Sequence, residues 1–202
     1  FNKINLNSCT DVGDLNIPAH PETIYLTVVD KDLNSVSIIN SVCYVFGSGI
    51  TTNKSGILLH NRGTNFRVEH GHPNCIEGLK RPLHTIIPGM VIDKDNNATL
   101  SYGVMGGQYQ PVGQVHVLNN MIDYSMGPQE ALSFPRAFHF NNTYKLEKTI
   151  NNEIFHGLKE KGHNVKYIDG THGGGQAIKI NRSDGDLFGG SDPRKDGYAK
   201  GY

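Results

Sequence analysis

The alternation of side chains from Thr23 to Val29 constrains the fold more than any other feature of this sequence. In TIYLTVV, Ile24, Leu26 and Val28 fall on one face of an extended chain, and Tyr25, Thr27 and Val29 fall on the other. A two-residue period of β-branched and aromatic side chains is the pattern of a strand. The turn KDLN follows, and SVSIINSVCYVF, residues 35–46, continues as a second strand, so the segment predicts an antiparallel hairpin. After a bend at GSG, residues 47–49, a short strand is expected at GILL, 56–59. IIPGMVID (86–93) and ATLSYGV (98–104) flank the turn KDNN and predict a second hairpin.

Helices belong to the second half of the chain. Beyond the lead-in MGGQYQPVGQ, Val115, Val117, Leu118, Met121 and Ile122 recur at helical spacing. Pro128 opens a short second helix, where a proline in the first turn gives up no needed hydrogen bond. Residues 151–162 predict a third helix ending at Gly162. Strands are expected at 163–169 and 176–181, followed by a turn in LFGGSDPR and a glycine-rich tail. Strands, then helices, then strands, with no internal repeat or linker, indicate one α+β layered domain.

Composition excludes several classes of partner. A chain of 202 residues suits one sizeable domain, able to bury about 70% of its unfolded surface without metals or disulfides. The 19 basic and 19 acidic residues cancel, so no basic excess draws it to nucleic acid. No apolar run approaches the roughly 20 residues of a membrane helix. FNKINLNSCTD lacks the cationic lead and apolar core of a signal peptide. Cys9, Cys43 and Cys75 are irregularly spaced, contain no CxxC, and read as buried free thiols, which favours a cytoplasmic setting over a periplasmic or secreted one. His60, His70, His72, His84 and His172 show no metal-ligand spacing, and HGGGQ at 172–176 lacks the lysine of a phosphate loop. Neither a metal nor a cofactor is expected.

Eight motifs follow one another from about Thr23 to Tyr202: TIYLTVVDKDLNSVS, FGSGI, SGILLHNRG, HPN, KRPLHTIIPGMV, GVMGGQYQPVGQVHVLNNMIDY, EALSFPRAFH and GGSDPRKDGYAKGY. In that order they resemble the small subunit of γ-glutamyltranspeptidase-like proteins, in particular the branch with HNRG and GVMGG motifs. The resemblance implies an N-terminal nucleophile hydrolase fold, a four-layer αββα sandwich with two antiparallel sheets between helical layers. It implies a precursor that cuts itself between Glu22 and Thr23. Residues 1–22 would then be the tail of a large subunit, and 23–202 a small catalytic subunit partnered by it.

The resemblance also assigns roles. Thr23 falls at the nucleophile. The chemistry suits it, because an N-terminal threonine joins a hydroxyl to its own α-amine, a base with pKa of about 7.7–8.0. Ser41 falls at a hydroxyl that bonds the nucleophile. Gly106 and Gly107 fall at the glycine pair of the oxyanion hole, where two backbone N–H groups can approach a developing oxyanion. Asp192 and Arg194, in the tail, are expected to form a structural ion pair.

The acyl pocket departs from the best-known members. Arg62 and Asn65 stand where those hold the substrate's α-amino group with a glutamine and an aspartate. His84 and Thr85 stand where two serines help hold the α-carboxylate, and Cys43 stands where an asparagine does. The nucleophile machinery is thus retained while the γ-glutamyl pocket is rewritten. The expected substrate is glutathione, a related γ-glutamyl compound or another acyl amide, released to water or to an amine. Other readings of the same residues stay open. Locally Thr23 is a β-branched residue entering a strand, and Arg62 and His84 are equally well structural. A chain that stays uncut would be a binding protein with no catalytic amine.

Overall fold

The computed structural model describes residues 22–202. Cys9 and the body of the expected lead segment lie outside these residues. The first hairpin forms as expected, from β1 (Glu22–Val29) and β2 (Ser35–Cys43), with Leu26 opposite Ile38 and Val28 opposite Val36. Its turn is closed by the Asp30 carboxylate, which accepts the backbone N–H groups of Asp32 and Asn34 at 2.9 Å each. β2 stops at Cys43 rather than Phe46, because Cys43, the last residue of the ladder, turns to a positive φ of 78° and redirects the chain after it.

The alternation is right but the polarity of the faces is inverted. Thr23 and Tyr25 are buried, whereas Ile24, Leu26, Val28, Val36 and Ile38 are exposed. The inner, hydroxyl-rich face packs on a four-stranded sheet of β3 (Pro88–Ile92), β4 (Ala98–Met105), β8 (Gly174–Ile180) and β9 (Leu187–Ser191), ordered β3-β4-β8-β9 and antiparallel throughout. Across the two sheets the Thr27 hydroxyl meets that of Ser101 at 2.6 Å, and the Ser37 hydroxyl donates to the Gly89 carbonyl at 2.9 Å.

The opposite face of the four-stranded sheet carries α1 (Gln110–Ile122) and α2 (Pro128–Ser133). Leu100, Tyr102 and Val104 of β4 and Ala177 of β8 form one core with Tyr109, Val117, Ala131 and Leu132. The order helix, sheet, sheet supplies three of the four layers expected of the sandwich, and among the described residues no helix covers the outer face of the β1–β2 hairpin. α1 begins at Gln110, ahead of the apolar residues that announced it, with a proline in its first turn. Its buried face is Gln110, Gly113, Gln114, Val117 and Asn120, while Val115 and Ile122 are exposed. A Cβ on Gly113 would lie 2.7 Å from Val104, so glycine here lets the helix sit close on β4.

A third sheet stands beside this stack, ordered β5 (Ala137–Phe140), β6 (Thr143–Glu147) and β7 (Val165–Ile168). α3 (Asn152–Glu160) crosses from β6 to β7, so that pair is parallel. The tail is clamped by buried charge. Arg194 forks onto Glu147 at 2.7 and 2.8 Å and reaches Asp192 at 3.2 Å, the ion pair expected of these residues. Arg136, fully buried, bonds Asp192 at 2.5 Å and the His172 carbonyl at 2.8 Å.

One strand expectation and one turn expectation fail. GILL makes only an isolated bridge, Leu58 with Thr51, flanked by backbone bonds of Ile57 and Leu59 to Thr52, Ile50 and Ser48, and Ile57 and Leu59 stay exposed. LFGGSDPR is not all turn: its first five residues are β9, an edge strand paired to β8.

Candidate active site

Where the sheets stack, β1 and β4 run in opposite directions. Thr27 lies over Ser101, and a side chain on Gly103 would collide with the Tyr25 ring. The same step carried once more would bring the start of β1 to Met105, the last residue of β4, with Gly106 and Gly107 next in the chain. The start of β1 and the end of β4 therefore share one end of the stack.

β2 brings Ser41 to that end. The register steps from Glu22 opposite Cys43 to Ile24 opposite Asn40, so Thr23 faces two residues, Ser41 and Val42. A bulge of this kind re-aims side chains and is frequent beside active sites. The Ser41 hydroxyl oxygen accepts the Cys43 backbone N–H and an N–H from Nη2 of Arg62, each at 2.9 Å. A hydroxyl has two acceptor positions and one donor. With both acceptor positions taken, what Ser41 offers a further partner is its proton.

Gly106 has φ 129° and Gly107 φ 57°, conformations open to glycine and strained for other residues. A Cβ on Gly106 would lie 2.6 Å from the Cα of Gly173. The pair leads through a 3₁₀ turn, Gly107–Tyr109, into the N-terminus of α1, whose dipole favours negative charge. Nε2 of Gln110 ties this turn to Thr85, donating to the Gly107 carbonyl at 3.2 Å and the Thr85 hydroxyl at 3.3 Å.

The segments expected to line the acyl pocket are held together by amides. Asn61 donates its N–H to the Val42 carbonyl at 3.2 Å and accepts that of Tyr44 at 3.1 Å, which seats the 3₁₀ turn Arg62–Asn65 beside the end of β2. Asn65 donates to the Leu83 carbonyl at 3.1 Å, and Asn74, from the HPN motif, bonds the Asn65 carbonyl at 2.5 Å and the Leu83 N–H at 2.9 Å. His84 and Thr85 are thereby held next to Asn65. Arg62 and Asn65 are buried, and Oδ1 of Asn65 is buried without a hydrogen-bond partner.

Partial burial lowers the pKa of the exposed His84, and the positive charges of Arg62, His60 and Arg81 lower it further. Its Nδ1 accepts the Ile86 N–H at 3.2 Å, in keeping with a neutral ring. Cys43 and Cys75 are free and buried, and Cys43 adjoins this site. Among the described residues no three His, Cys, Asp or Glu side chains converge as metal ligands, and no helix is long and apolar enough to cross a membrane.

Thus Thr23, Ser41, Gly106, Gly107, Arg62, Asn65, His84 and Thr85 gather at one end of the stack. Sequence reasoning missed Asn74, Gln110 and Gln114, the last of which bonds the Ile87 carbonyl. Their spacing along α1 was available as a signal for the two glutamines, but apolar periodicity pointed to another face.

Two antiparallel sheets stacked under helices, with a threonine opening an inner strand at the site, define an N-terminal nucleophile hydrolase fold. The chain matches the γ-glutamyltranspeptidase family model over residues 3–202 and belongs to that family. It is 38% identical to the glutathione hydrolase-like YwrD proenzyme of Bacillus subtilis, over 95% of this chain and 39% of that protein. It therefore spans about two fifths of that relative's length. Among solved structures it superposes on cephalosporin acylase from Bacillus halodurans with a TM-score of 0.81 at 38% identity, covering 88% of this chain and 34% of that one. On γ-glutamyltranspeptidase from Pseudomonas nitroreducens the TM-score is 0.77 at 27% identity, covering 88% of this chain and 98% of that one.

Proposed function

We propose that this chain is the catalytic part of an amidohydrolase that takes the acyl group from γ-glutamyl compounds such as glutathione, or from related acyl amides, through Thr23. The observation that carries this reading is the convergence of Thr23, Ser41 and the Gly106–Gly107 pair at one end of the stacked sheets. The relatives support the reaction class, being a glutathione hydrolase-like proenzyme, an acylase and a γ-glutamyltranspeptidase.

Activation comes first. The Thr23 hydroxyl attacks the Glu22 carbonyl carbon, the Glu22–Thr23 C–N bond breaks, and water opens the resulting ester. The products are a Glu22 carboxylate and a Thr23 with a free α-amine. In turnover that amine takes the hydroxyl proton as Oγ attacks the substrate amide, then passes it to the departing amine. The Gly106 and Gly107 N–H groups receive the oxyanion. Ser41, its acceptor positions filled, acts as a donor and leaves the role of base to the amine. Water, or an acceptor amine, then releases the acyl group from Thr23.

The partner is the rest of the same precursor. The exposed apolar outer face of the β1–β2 hairpin and the relative's proenzyme nature both support it. The experiment is release of p-nitroaniline from a γ-glutamyl anilide by the full-length protein, with Thr23→Ala beside it. The wild type turns over and the variant does not. Equal rates in the two would reject Thr23 as nucleophile.

A further inference from the structure

We propose that the acyl group this site prefers carries a carboxylate and no ammonium, as in the half-amide of a short dicarboxylic acid, and that Arg62 receives that carboxylate. The inference rests on Thr23 being the nucleophile and adds the chemistry of what Thr23 acylates with.

Arg62 is a buried cation, 8% exposed, one side chain away from Thr23 through Ser41. A guanidinium has five N–H donors. Among the described residues, its side chain makes one hydrogen bond, from Nη2 to Ser41, and no carboxylate lies within ion-pair distance of it. Elsewhere in this chain buried guanidinium groups are treated differently: Arg136 and Arg194 are both paired with Asp192, and Arg194 with Glu147 as well. A buried charge held without a counter-ion is unfavourable, and a ligand carboxylate completes it. The planar fork matches a carboxylate with two parallel bonds, so it also fixes the orientation of the acyl chain.

The surroundings repel the opposite charge. Arg62, His60 and Arg81 all lie close enough to His84 to disfavour a positive charge there, so an ammonium placed in the same pocket would meet the same repulsion. The neighbouring acceptor without a partner is Oδ1 of Asn65, which is neutral. An amide oxygen can accept an N–H, but it does not offset an ammonium set beside a guanidinium. A glutaryl group and a γ-glutamyl group differ only by that ammonium, so the pocket favours the first.

The test uses the full-length protein and three p-nitroanilides with one leaving group: glutaryl, γ-glutamyl and pentanoyl. Pentanoyl replaces the glutaryl carboxylate by a methyl. The expected kcat/KM for glutaryl exceeds that of each of the others on the order of 10- to 100-fold, the range of a charge-assisted hydrogen-bonded contact. Arg62→Gln brings glutaryl down to the pentanoyl level. Because Arg62 also holds Ser41, Asn65→Asp serves as a second variant that leaves that contact in place, and it shifts preference toward γ-glutamyl. A wild type that prefers γ-glutamyl, or an Arg62→Gln that slows all three anilides alike, overturns the inference while Thr23 still yields its N-terminal fragment. Activity that survives Thr23→Ala takes down the nucleophile reading and this inference with it.

Discussion

At the scale of single residues, Gly106 carries the sharpest consequence. Its φ of 129° and the 2.6 Å that would separate a Cβ from Gly173 leave no room for a side chain. Gly106→Ala must shift the backbone that, on the proposed mechanism, presents the oxyanion donors. Removing one such donor lowers rate by about 10²- to 10³-fold, so kcat of Gly106→Ala is expected to fall by that much with KM little changed. Residue-level legibility was uneven for a physical reason. Thr23, Ser41 and the glycine pair are set by backbone position, which motif order reports. Gln110, Gln114 and Asn74 act by bonding loop carbonyls, and no periodicity marks an amide for that task. The partnering of Asp192 with Arg194 was legible, but the addition of Arg136 and Glu147 came from distant segments and was not.

At the scale of elements, the β1–β2 hairpin has its apolar side chains on the outside. Its period of two was legible from Thr23 to Val29, but period alone does not say which face is inward. Thr27 and Ser37 point inward because they find hydroxyl and carbonyl partners on the facing sheet, and Tyr25 joins them through its hydroxyl's bond to Ser37. The outer face, with Leu26 and Ile38 paired across the strands, is a contiguous apolar surface of the sort that is covered in an assembled protein. If the rest of the precursor covers it, Leu26→Asp in the full-length protein destabilises by about 2 kcal/mol or more, since it buries an unpaired charge. Chemical denaturation measures this. A change within about 0.5 kcal/mol, usual for an open surface, would show the face bare. The β5–β6 hairpin escaped sequence reading although Asn141 and Asn142 both take positive φ, near 50°, at its turn. An Asn-Asn pair between short strands is the signal that marks such a turn.

At the scale of the molecule, the tail, the third sheet and α2 are joined by Arg136, Glu147, Asp192 and Arg194. Breaking a buried pair leaves an uncompensated charge, so Arg136→Met is expected to lose about 3–5 kcal/mol of stability by urea denaturation. Glu147 gives this network a pH signature. Burial alone would raise its pKa, but hydrogen bonds from Arg194 and from the His172 and Arg136 amides hold it below its ordinary 4.5. A depressed carboxylate stabilises the fold above that ordinary value, and the contribution is lost as pH falls through the depressed one. Thermal stability should therefore drop below pH 4.5, and Glu147→Gln should flatten that drop. The layered α+β architecture was legible because hairpins and helices are local. The parallel β6–β7 pair was not, because it depends on where α3 returns the chain.

The central claim is that Thr23 becomes an N-terminus, and the intact mass of the purified full-length precursor with N-terminal sequencing tests it most directly. Two fragments are expected, one beginning Thr-Ile-Tyr-Leu, and a single uncut chain for Thr23→Ala. A wild-type chain that stays whole on prolonged incubation would contradict it and leave a binding protein with no catalytic amine.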